Sequence, residues 1–301
     1  MIELCSNRFR TKIAPAIGGS IAELELFNKS EWVHLMRPAP SGFARSSEAN
    51  FVMAPYSNRI RDGRFSFHAK KYQLRFAEKH AIHGDVRDRN WKVRDVSSTT
   101  AVLDFDSAWY ADINFPFPFR AELSYSLSGD SFTSRLVLTN PSDSSSTVGP
   151  FPVGGGFHPY FMRSLGAQEE EVQLQFRADK VFLYSGKIPL PEGEPVKVPD
   201  ELDFVELRPL VEGLDHGYCE WDGKARLVWP KSEVTLELIS SNTGHLIVYS
   251  PTGERFFAFE PAANCTDGFN LYSAGANFAG VKVLFPGQSL DISYTLTART
   301  N

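Results

Sequence analysis

The stretch Gly-Gly-Gly-Phe-His-Pro at residues 154–159 combines residue types that could present one imidazole at a fixed position. Glycine reaches backbone conformations that other residues rarely adopt, and Pro159 favours an extended conformation for the preceding His158. Histidine titrates near neutral pH and is suited to acid–base chemistry. Glycines in a β-rich chain also mark bulges and tight bends, so the stretch alone fits an architectural role as well as a catalytic one.

Glu260 is the second residue whose surroundings point to chemistry. It follows the almost continuously apolar run Phe-Phe-Ala-Phe at residues 256–259, which predicts a strand buried on both faces. Burial would raise the pKa of the carboxyl group toward neutrality, as a general base working near pH 7 requires. Pro261 restrains Glu260 as Pro159 restrains His158. The alternative is a solvent-exposed glutamate, or one paired with Arg255.

Four more polar residues lie in turn-rich or aromatic settings. They are Asn58, Arg59, His83 and Asp215. Each also has an ordinary structural explanation: an ion pair for the arginine, a buried core position for the histidine, and a turn position for the aspartate. Taken singly, none of them identifies a site.

No metal or cofactor motif accompanies these residues. The seven histidines and three cysteines do not have the spacing of a metal site. The sequence contains no Gly-x-Ser-x-Gly elbow, no phosphate-binding loop ending in Lys-Ser/Thr, and no dinucleotide fingerprint before a helix. We therefore expect neither a bound metal nor a cofactor.

Charge and cysteine usage limit the partners and the compartment. The net charge is −5 and no long basic run is present, which argues against nucleic acid. No uncharged apolar run approaches the roughly 18 residues of a membrane span, and the first residues do not resemble a secretory signal. Cys5, Cys219 and Cys265 are far apart and form no disulfide framework. We expect a cytoplasmic protein without a membrane partner.

The dominant periodicity is that of β-strands with one buried face. Apolar and polar residues alternate at 120–127 and at 290–296, among other places. Turn signals at Ser128-Gly129-Asp130-Ser131 and at Asp62-Gly63 each predict a hairpin. Residues 41–50 could hold a short helix at most. Many short strands separated by Gly/Pro turns predict an all-β sandwich or barrel, and we expect one domain over residues 1–301.

Five short motifs occur in an order that resembles the aldose 1-epimerase (galactose mutarotase) family. In chain order they are Asn58-Arg59-Ile60, His83-Gly84, His158-Pro159-Tyr160-Phe161, Leu214-Asp215-His216 and Glu260-Pro261. The resemblance extends from about residue 10 to about residue 298. It implies a large antiparallel β-sandwich with a monosaccharide cleft on one face, in a monomer or homodimer.

The resemblance also implies roles for the motif residues. Glu260 would be the base that removes the proton from the C1 hydroxyl, and His158 would be the acid that protonates the ring oxygen. His83 would assist at the ring oxygen. Arg59 and Asp215 would hold sugar hydroxyls, with a contribution from Asn58. These roles require Glu260 to be ionised and His158 to be protonated or donating.

Several departures leave the substrate and the activity open. Many family members carry Asn where this chain has Phe157, and the glycine run at 154–156 is not a familiar feature of galactose-acting members. A related branch acts on hexose 6-phosphates, and an anion pocket could form from Arg61, Arg64, Arg87 and Arg89. A non-catalytic carbohydrate-binding protein is a further alternative. So is a glycoside hydrolase that uses Asp215 and Glu260 as paired carboxylates.

Overall fold

The fold of the chain is given by a computed structural model that describes residues 1–42, 47–75, 80–142, 149–166, 170–184 and 186–300. The described residues form twenty-five strands, one short α-helix and three 3₁₀ turns. The strands are Ile2–Cys5 (β1), Phe9–Ala14 (β2), Ser20–Asn28 (β3), Glu31–His34 (β4), Val52–Met53 (β5), Arg59–Arg61 (β6), Arg64–Phe67 (β7), Lys70–Gln73 (β8), His80–Ile82 (β9), Lys92–Val96 (β10), Thr100–Asp106 (β11), Arg120–Ser128 (β12), Ser131–Thr139 (β13), Phe151–Val153 (β14), Gly156–Phe157 (β15), Tyr160–Met162 (β16), Gln173–Phe182 (β17), Val196–Lys197 (β18), Arg208–Pro209 (β19), Leu214–Trp229 (β20), Val234–Ser241 (β21), His245–Ser250 (β22), Phe256–Ala262 (β23), Lys282–Leu284 (β24) and Ser289–Thr300 (β25). The α-helix is Gly268–Ser273 (α1), and the 3₁₀ turns are Ser107–Trp109, Asp200–Leu202 and Asn277–Ala279.

One large antiparallel sheet dominates the architecture. Its strands follow the order β10-β11-β12-β13-β25-β21-β20-β22-β23-β15-β5, and β16 pairs with β23 beside this path. A four-stranded sheet, β1-β2-β3-β4, packs into the same apolar core, to which Leu4, Phe9 and Leu296 all belong. The prediction of an all-β antiparallel sandwich is confirmed.

The alternating sequence pattern explains the long strands. In β12 every second residue is buried, and β13 shows the same alternation. Ser128 pairs with Ser131, so Gly129 and Asp130 form the two-residue turn that the sequence predicted. Gly129 has a φ of 56°, a left-handed conformation that glycine adopts without steric cost.

The predicted hairpin at Asp62-Gly63 is wrong, although a tight turn is present. Both residues have positive φ, and the Gly63 amide donates to the Ile60 carbonyl at 3.0 Å. However, β6 pairs with β9, and β7 pairs with β8 instead of β6. The turn chemistry was correctly recognised, but the backbone hydrogen bonds of β6 go to a strand twenty residues further along the chain.

Two further differences concern helices. Residues 43–46 of the predicted short helix at 41–50 lie outside the described residues, and the described remainder contains no helix. Helix α1, which follows β23, was not predicted because its six residues are too few to establish a helical period. Within the described ranges, the helices lack the length and apolar character needed to cross a membrane.

Candidate active site

The register of the central sheet brings His158 and Glu260 together. Gly156 pairs with Ala262, and Tyr160 pairs with Ala258. His158 is two residues inward from the first pair on one side, and Glu260 is two residues inward on the other, so the two face each other. Their side chains meet directly, with His158 Nε2 3.1 Å from Glu260 Oε1. Two residues about a hundred positions apart in sequence thus form one hydrogen-bonded acid–base pair.

Burial controls the charge of this pair. Glu260 is 2% exposed and His158 is 6% exposed. Burial raises the pKa of Glu260 well above its usual range, and the nearby charge of Asp215 adds to the shift. Burial lowers the pKa of His158 to about 3, and the cation of Arg87 acts in the same direction. The surroundings therefore favour a neutral carboxylic acid beside a neutral imidazole.

The charged forms required by the implied roles differ from this neutral pair by the position of one proton. Moving that proton from Glu260 to His158, across the 3.1 Å contact, gives the carboxylate and the imidazolium. The pair holds one shared proton in either form. The second carboxylate oxygen, Oε2 of Glu260, is buried and has no hydrogen-bond partner among the described residues.

Aromatic rings and backbone contacts fix the His158 imidazole. Phe51 stacks on it at a centroid distance of 4.5 Å, and the Tyr160 ring lies 4.5 Å away at a tilt of 37°. The His158 backbone amide donates to the Phe51 carbonyl at 2.9 Å and to Asn50 Oδ1 at 3.0 Å. Phe51 and Tyr160 hold the imidazole ring, and Asn50 helps to hold its backbone.

His83 and Asn58 flank one small pair of strands. Arg59 of β6 pairs with Ile82 of β9, and the His83 amide donates to the Asn58 carbonyl at 2.9 Å just beyond that pair. Both residues have unusual positive φ values, 61° for His83 and 52° for Asn58. Such backbone conformations cost free energy and are found frequently at functional sites. The His83 ring lies 5.1 Å from the His158 ring, edge to face.

Asp215 lies on the same face of the sheet as the central pair. It pairs with Tyr249 of β22, and Glu260 pairs with Ile247 of the same strand. Paired residues point to one side of a sheet, as do residues two apart. The carboxyl groups of Asp215 and Glu260 therefore share a face, with β22 between their strands.

Arg59 is electrostatically coupled to Asp215. Burial lowers the pKa of Arg59, and the Asp215 carboxylate opposes that shift. Burial also raises the pKa of Asp215, and Arg59 opposes that shift in turn. The Asn58 side chain accepts a hydrogen bond from the Arg59 amide at 2.7 Å, so Asn58 orients the backbone of Arg59. All six site residues named from the sequence thus lie in one neighbourhood.

The four arginines of the suggested anion pocket do not form one cluster. Arg61 pairs with Asp267 at 3.4 Å, Arg64 donates to Gln73, and Arg89 pairs with Asp85 at 2.9 Å. Only Arg87 approaches the central pair, with its guanidinium 4.5 Å from the centre of the Phe51 ring.

Sequence reasoning missed several neighbours of the pair. Arg37 lies over the Tyr160 ring at 4.0 Å and, like Arg87, lowers the pKa of His158. Phe51 was not singled out, although it contacts His158 directly. No local pattern marks these residues, because long-range strand pairing brings them to the site. Among the described residues, no group of three or more His, Cys, Asp or Glu side chains could hold a metal ion.

The buried imidazole has a consequence for stability that can be measured. An unfolded chain binds a proton on histidine near pH 6.5, whereas the folded protein keeps His158 neutral down to about pH 3. At this one side chain the unfolded state binds more protons in this window, so the contribution of His158 to the free energy of unfolding falls as the pH falls. The raised pKa of Glu260 contributes in the opposite direction. Between pH 6.5 and pH 4, the change in the free energy of unfolding should therefore be more favourable by about 2–3 kcal/mol in His158→Asn than in the unmodified protein.

Urea unfolding at several pH values measures this difference. His68→Gln is the matched control, because His68 is an exposed histidine away from the pair. Equal pH slopes in His158→Asn, His68→Gln and the unmodified protein would contradict the assigned effect of burial.

Comparison with known proteins identifies the family of the chain. The sequence matches the aldose 1-epimerase family over residues 1–297. It is 24% identical over 267 residues to Uncharacterized protein YphB of Escherichia coli, with 85% of each chain covered. The structure resembles a galactose mutarotase-like protein from Clostridium acetobutylicum, with a TM-score of 0.82, 20% identity, and coverage of 99% of this chain and 95% of the other. It also resembles the GalM/aldose epimerase homologue from C. elegans, with a TM-score of 0.79, 18% identity, and coverage of 99% and 98%. The structural similarities concern the fold, and the family match covers nearly every residue: the chain belongs to the aldose 1-epimerase family.

Proposed function

We propose that the protein is a mutarotase that interconverts the α and β anomers of a free aldose. Membership of the family supports the part of this proposal that makes the protein a sugar isomerase. The observation that carries the finer proposal is the contact between His158 Nε2 and Glu260 Oε1 at 3.1 Å, in a buried site. The two oxygens that exchange protons in mutarotation are the hydroxyl oxygen and the ring oxygen, which are bonded to the same carbon. An acid and a base that lie this close can exchange protons with both of these oxygens.

Ring opening moves one proton onto the pair and one proton off it. Glu260, as the carboxylate, removes the proton from the C1 hydroxyl, and the electrons of that O–H bond form the C1 carbonyl. The bond between C1 and the ring oxygen breaks, and the imidazolium of His158 protonates that oxygen. The products are the open-chain aldehyde, a neutral carboxylic acid and a neutral imidazole. This is the protonation state that burial of the pair favours.

Reclosure reverses the proton movements on the other face of the carbonyl. After rotation about the C1–C2 bond, neutral His158 removes the proton from the C5 hydroxyl, whose oxygen attacks C1. Glu260 returns its proton to the carbonyl oxygen. The pair ends with a carboxylate and an imidazolium, and no net proton is gained or lost. One positioned acid or base contributes about 10²- to 10⁴-fold in rate, which suits a reaction that already proceeds slowly in water.

The remaining site residues hold the sugar in this proposal. Asp215 shares the sheet face of Glu260 and can accept hydrogen bonds from sugar hydroxyls. Arg59, coupled to Asp215, can donate to hydroxyl oxygens on the same side. His83, with its ring 5.1 Å from that of His158, is close enough to assist at the ring oxygen.

Polarimetry tests the proposal. Freshly dissolved α-glucose and α-galactose should reach their equilibrium rotation faster with the protein than without it. A lack of acceleration on any free hexose or pentose would favour the non-catalytic carbohydrate-binding protein. Reducing ends released from a β-glycoside would instead favour the hydrolase, which needs Glu260 paired with Asp215 rather than with His158.

An anionic sugar such as a hexose 6-phosphate is the second candidate substrate, and Arg87 is the observation that favours it. Arg87 is 9% exposed and packs on Phe51, which in turn stacks on His158. A guanidinium is well suited to binding phosphate. The free aldose ranks first because Arg61, Arg64 and Arg89 are engaged elsewhere.

The two substrates can be separated with one variant. If the substrate is a 6-phosphate, Arg87→Met should raise its KM by about ten- to a hundredfold, as loss of a charge-assisted hydrogen bond of about 1.5–3 kcal/mol predicts. The same variant should change the KM of glucose by less than threefold. Arg64→Met, a change at an exposed arginine, is the control. If neither the unmodified protein nor Arg87→Met accelerates the anomerisation of glucose 6-phosphate, the hexose 6-phosphate is excluded as the substrate.

A further inference from the structure

One buried amide side chain connects three segments that carry site residues. Asn264 is 2% exposed. Its Oδ1 accepts hydrogen bonds from the backbone amides of Ser57 at 3.0 Å and Gly155 at 3.1 Å. Its Nδ2 donates to the carbonyls of Ser57 at 3.3 Å and Cys265 at 3.0 Å. The Ser57 hydroxyl donates to the Asn264 carbonyl at 2.7 Å.

The positions of these partners along the chain give the contacts their significance. Ser57 directly precedes Asn58 and Arg59, Gly155 lies three residues before His158, and Asn264 lies four residues after Glu260. The amide bonds to backbone atoms of both of the first two segments, and its Oδ1 also accepts from the Ser57 hydroxyl at 3.0 Å. A movement of Asn264 would therefore shift the backbone that presents the acid and the arginine relative to the base.

The glycine run at residues 154–156, which the sequence left unexplained, belongs to the same arrangement. A Cβ atom on Gly154 would lie 1.9 Å from Asn264 Oδ1, and one on Gly156 would lie 2.6 Å from the Pro261 carbonyl oxygen. Neither distance is sterically possible. The absence of side chains at both positions lets the segment before His158 approach the segment after Glu260 closely.

We propose that Asn264 is a positioning residue that sets the spacing between His158 and Glu260, with Gly154 as the space that it requires. This inference rests on the proposed mutarotase activity. Asn264 does not touch the acid–base atoms themselves, so its effect is on geometry. Misplacement of catalytic groups by about 1 Å can reduce the rate about a hundredfold. Asn264→Ala should lower kcat by about ten- to a hundredfold and change KM by less than threefold.

Asn140 provides a matched control for an effect on stability alone. It is also fully buried, and among the described residues its amide bonds to backbone, donating to the Leu284 carbonyl at 3.0 Å and accepting from the Ser142 amide at 3.1 Å. Asn140→Ala should lower the melting temperature about as much as Asn264→Ala and leave the kcat of the folded protein unchanged. Equal kcat values for the two folded variants would overturn the proposal.

A second pair of variants tests the same idea without removing the amide. Gly154→Ala would displace Asn264, whereas Gly149→Ala adds the same methyl group where no described atom beyond the chain neighbours lies within 4 Å. Only the first should lower kcat. Failure of both Gly154→Ala and Asn264→Ala to fold would assign Asn264 to the fold and contradict the proposal. An unmodified protein without mutarotase activity would instead refute the proposed function, so the two failures are distinguishable.

Discussion

Replacing Glu260 with Gln is expected to lower kcat for anomer interconversion by about 10³-fold while changing KM by less than threefold. Glutamine has nearly the same shape but cannot take a proton, and one general base contributes about 10²- to 10⁴-fold. Sugar binding depends on other groups, so KM should be little affected. The fold should lose little stability, because the substitution replaces a buried ionisable group by a neutral one.

Polarimetric progress curves and thermal unfolding measure these two effects. Glu254→Gln is the matched control, because Glu254 is an exposed glutamate six residues earlier in the chain. It should leave both kcat and the melting temperature unchanged. A Glu260→Gln protein with more than a tenth of the original kcat would remove Glu260 as the base.

Replacing His158 with Asn is expected to lower kcat by about 10²- to 10³-fold, the contribution of one general acid. The more informative result concerns the double variant with Glu260→Gln. The two side chains share one proton through a direct 3.1 Å contact, so they should act as a unit. Residues that act as a unit give strongly non-additive effects on kcat.

The kcat of the double variant should therefore lie within about tenfold of the kcat of the less active single variant. If the two groups acted independently, the double variant would instead lose about 10⁵-fold or more in kcat, the product of the two single losses. Circular dichroism of each variant at the assay temperature provides the control for folding. A fully multiplicative loss would contradict the shared-proton arrangement, even if each single variant behaves as expected.

The strands could be predicted because their signal is local. Alternation in β12 and β13, with a Gly-Asp turn between them, identified a hairpin from the twenty residues 120–139. Glu260 was expected to be buried for a similar reason, since the run of apolar residues before it leaves no polar face. The restraint imposed by Pro159 and Pro261 is likewise a property of adjacent residues.

What could not be predicted depends on pairing between distant segments. The contact between His158 and Glu260 follows from the register of β15 and β16 on β23, which no single segment encodes. The same holds for the Asp62-Gly63 turn, whose flanking strands pair elsewhere. The contacts of Arg87 and Asn264 also appear only once the sheet is assembled.

The protonation of the pair depends both on residues adjacent in sequence and on contacts that form only in the fold. Sequence reasoning expected the pKa of Glu260 to rise and His158 to rest as an acid. The structure agrees on Glu260, but burial also lowers the pKa of His158 to about 3. Phe51, which stacks on the ring, and Arg37 and Arg87, which also lower this pKa, are distant from His158 in sequence. This shift therefore could not be inferred from the residues next to His158.

Exchange NMR on a free aldose tests the proposed activity and its catalytic pair in one measurement. Magnetisation transfer between the α and β anomeric protons of glucose or galactose reports the interconversion rate at equilibrium. We expect the unmodified protein to accelerate this transfer, and the double variant Glu260→Gln/His158→Asn to reduce the catalysed rate by at least about a hundredfold. Undiminished exchange in the double variant, or none in the unmodified protein across the common hexoses and pentoses, would contradict the account.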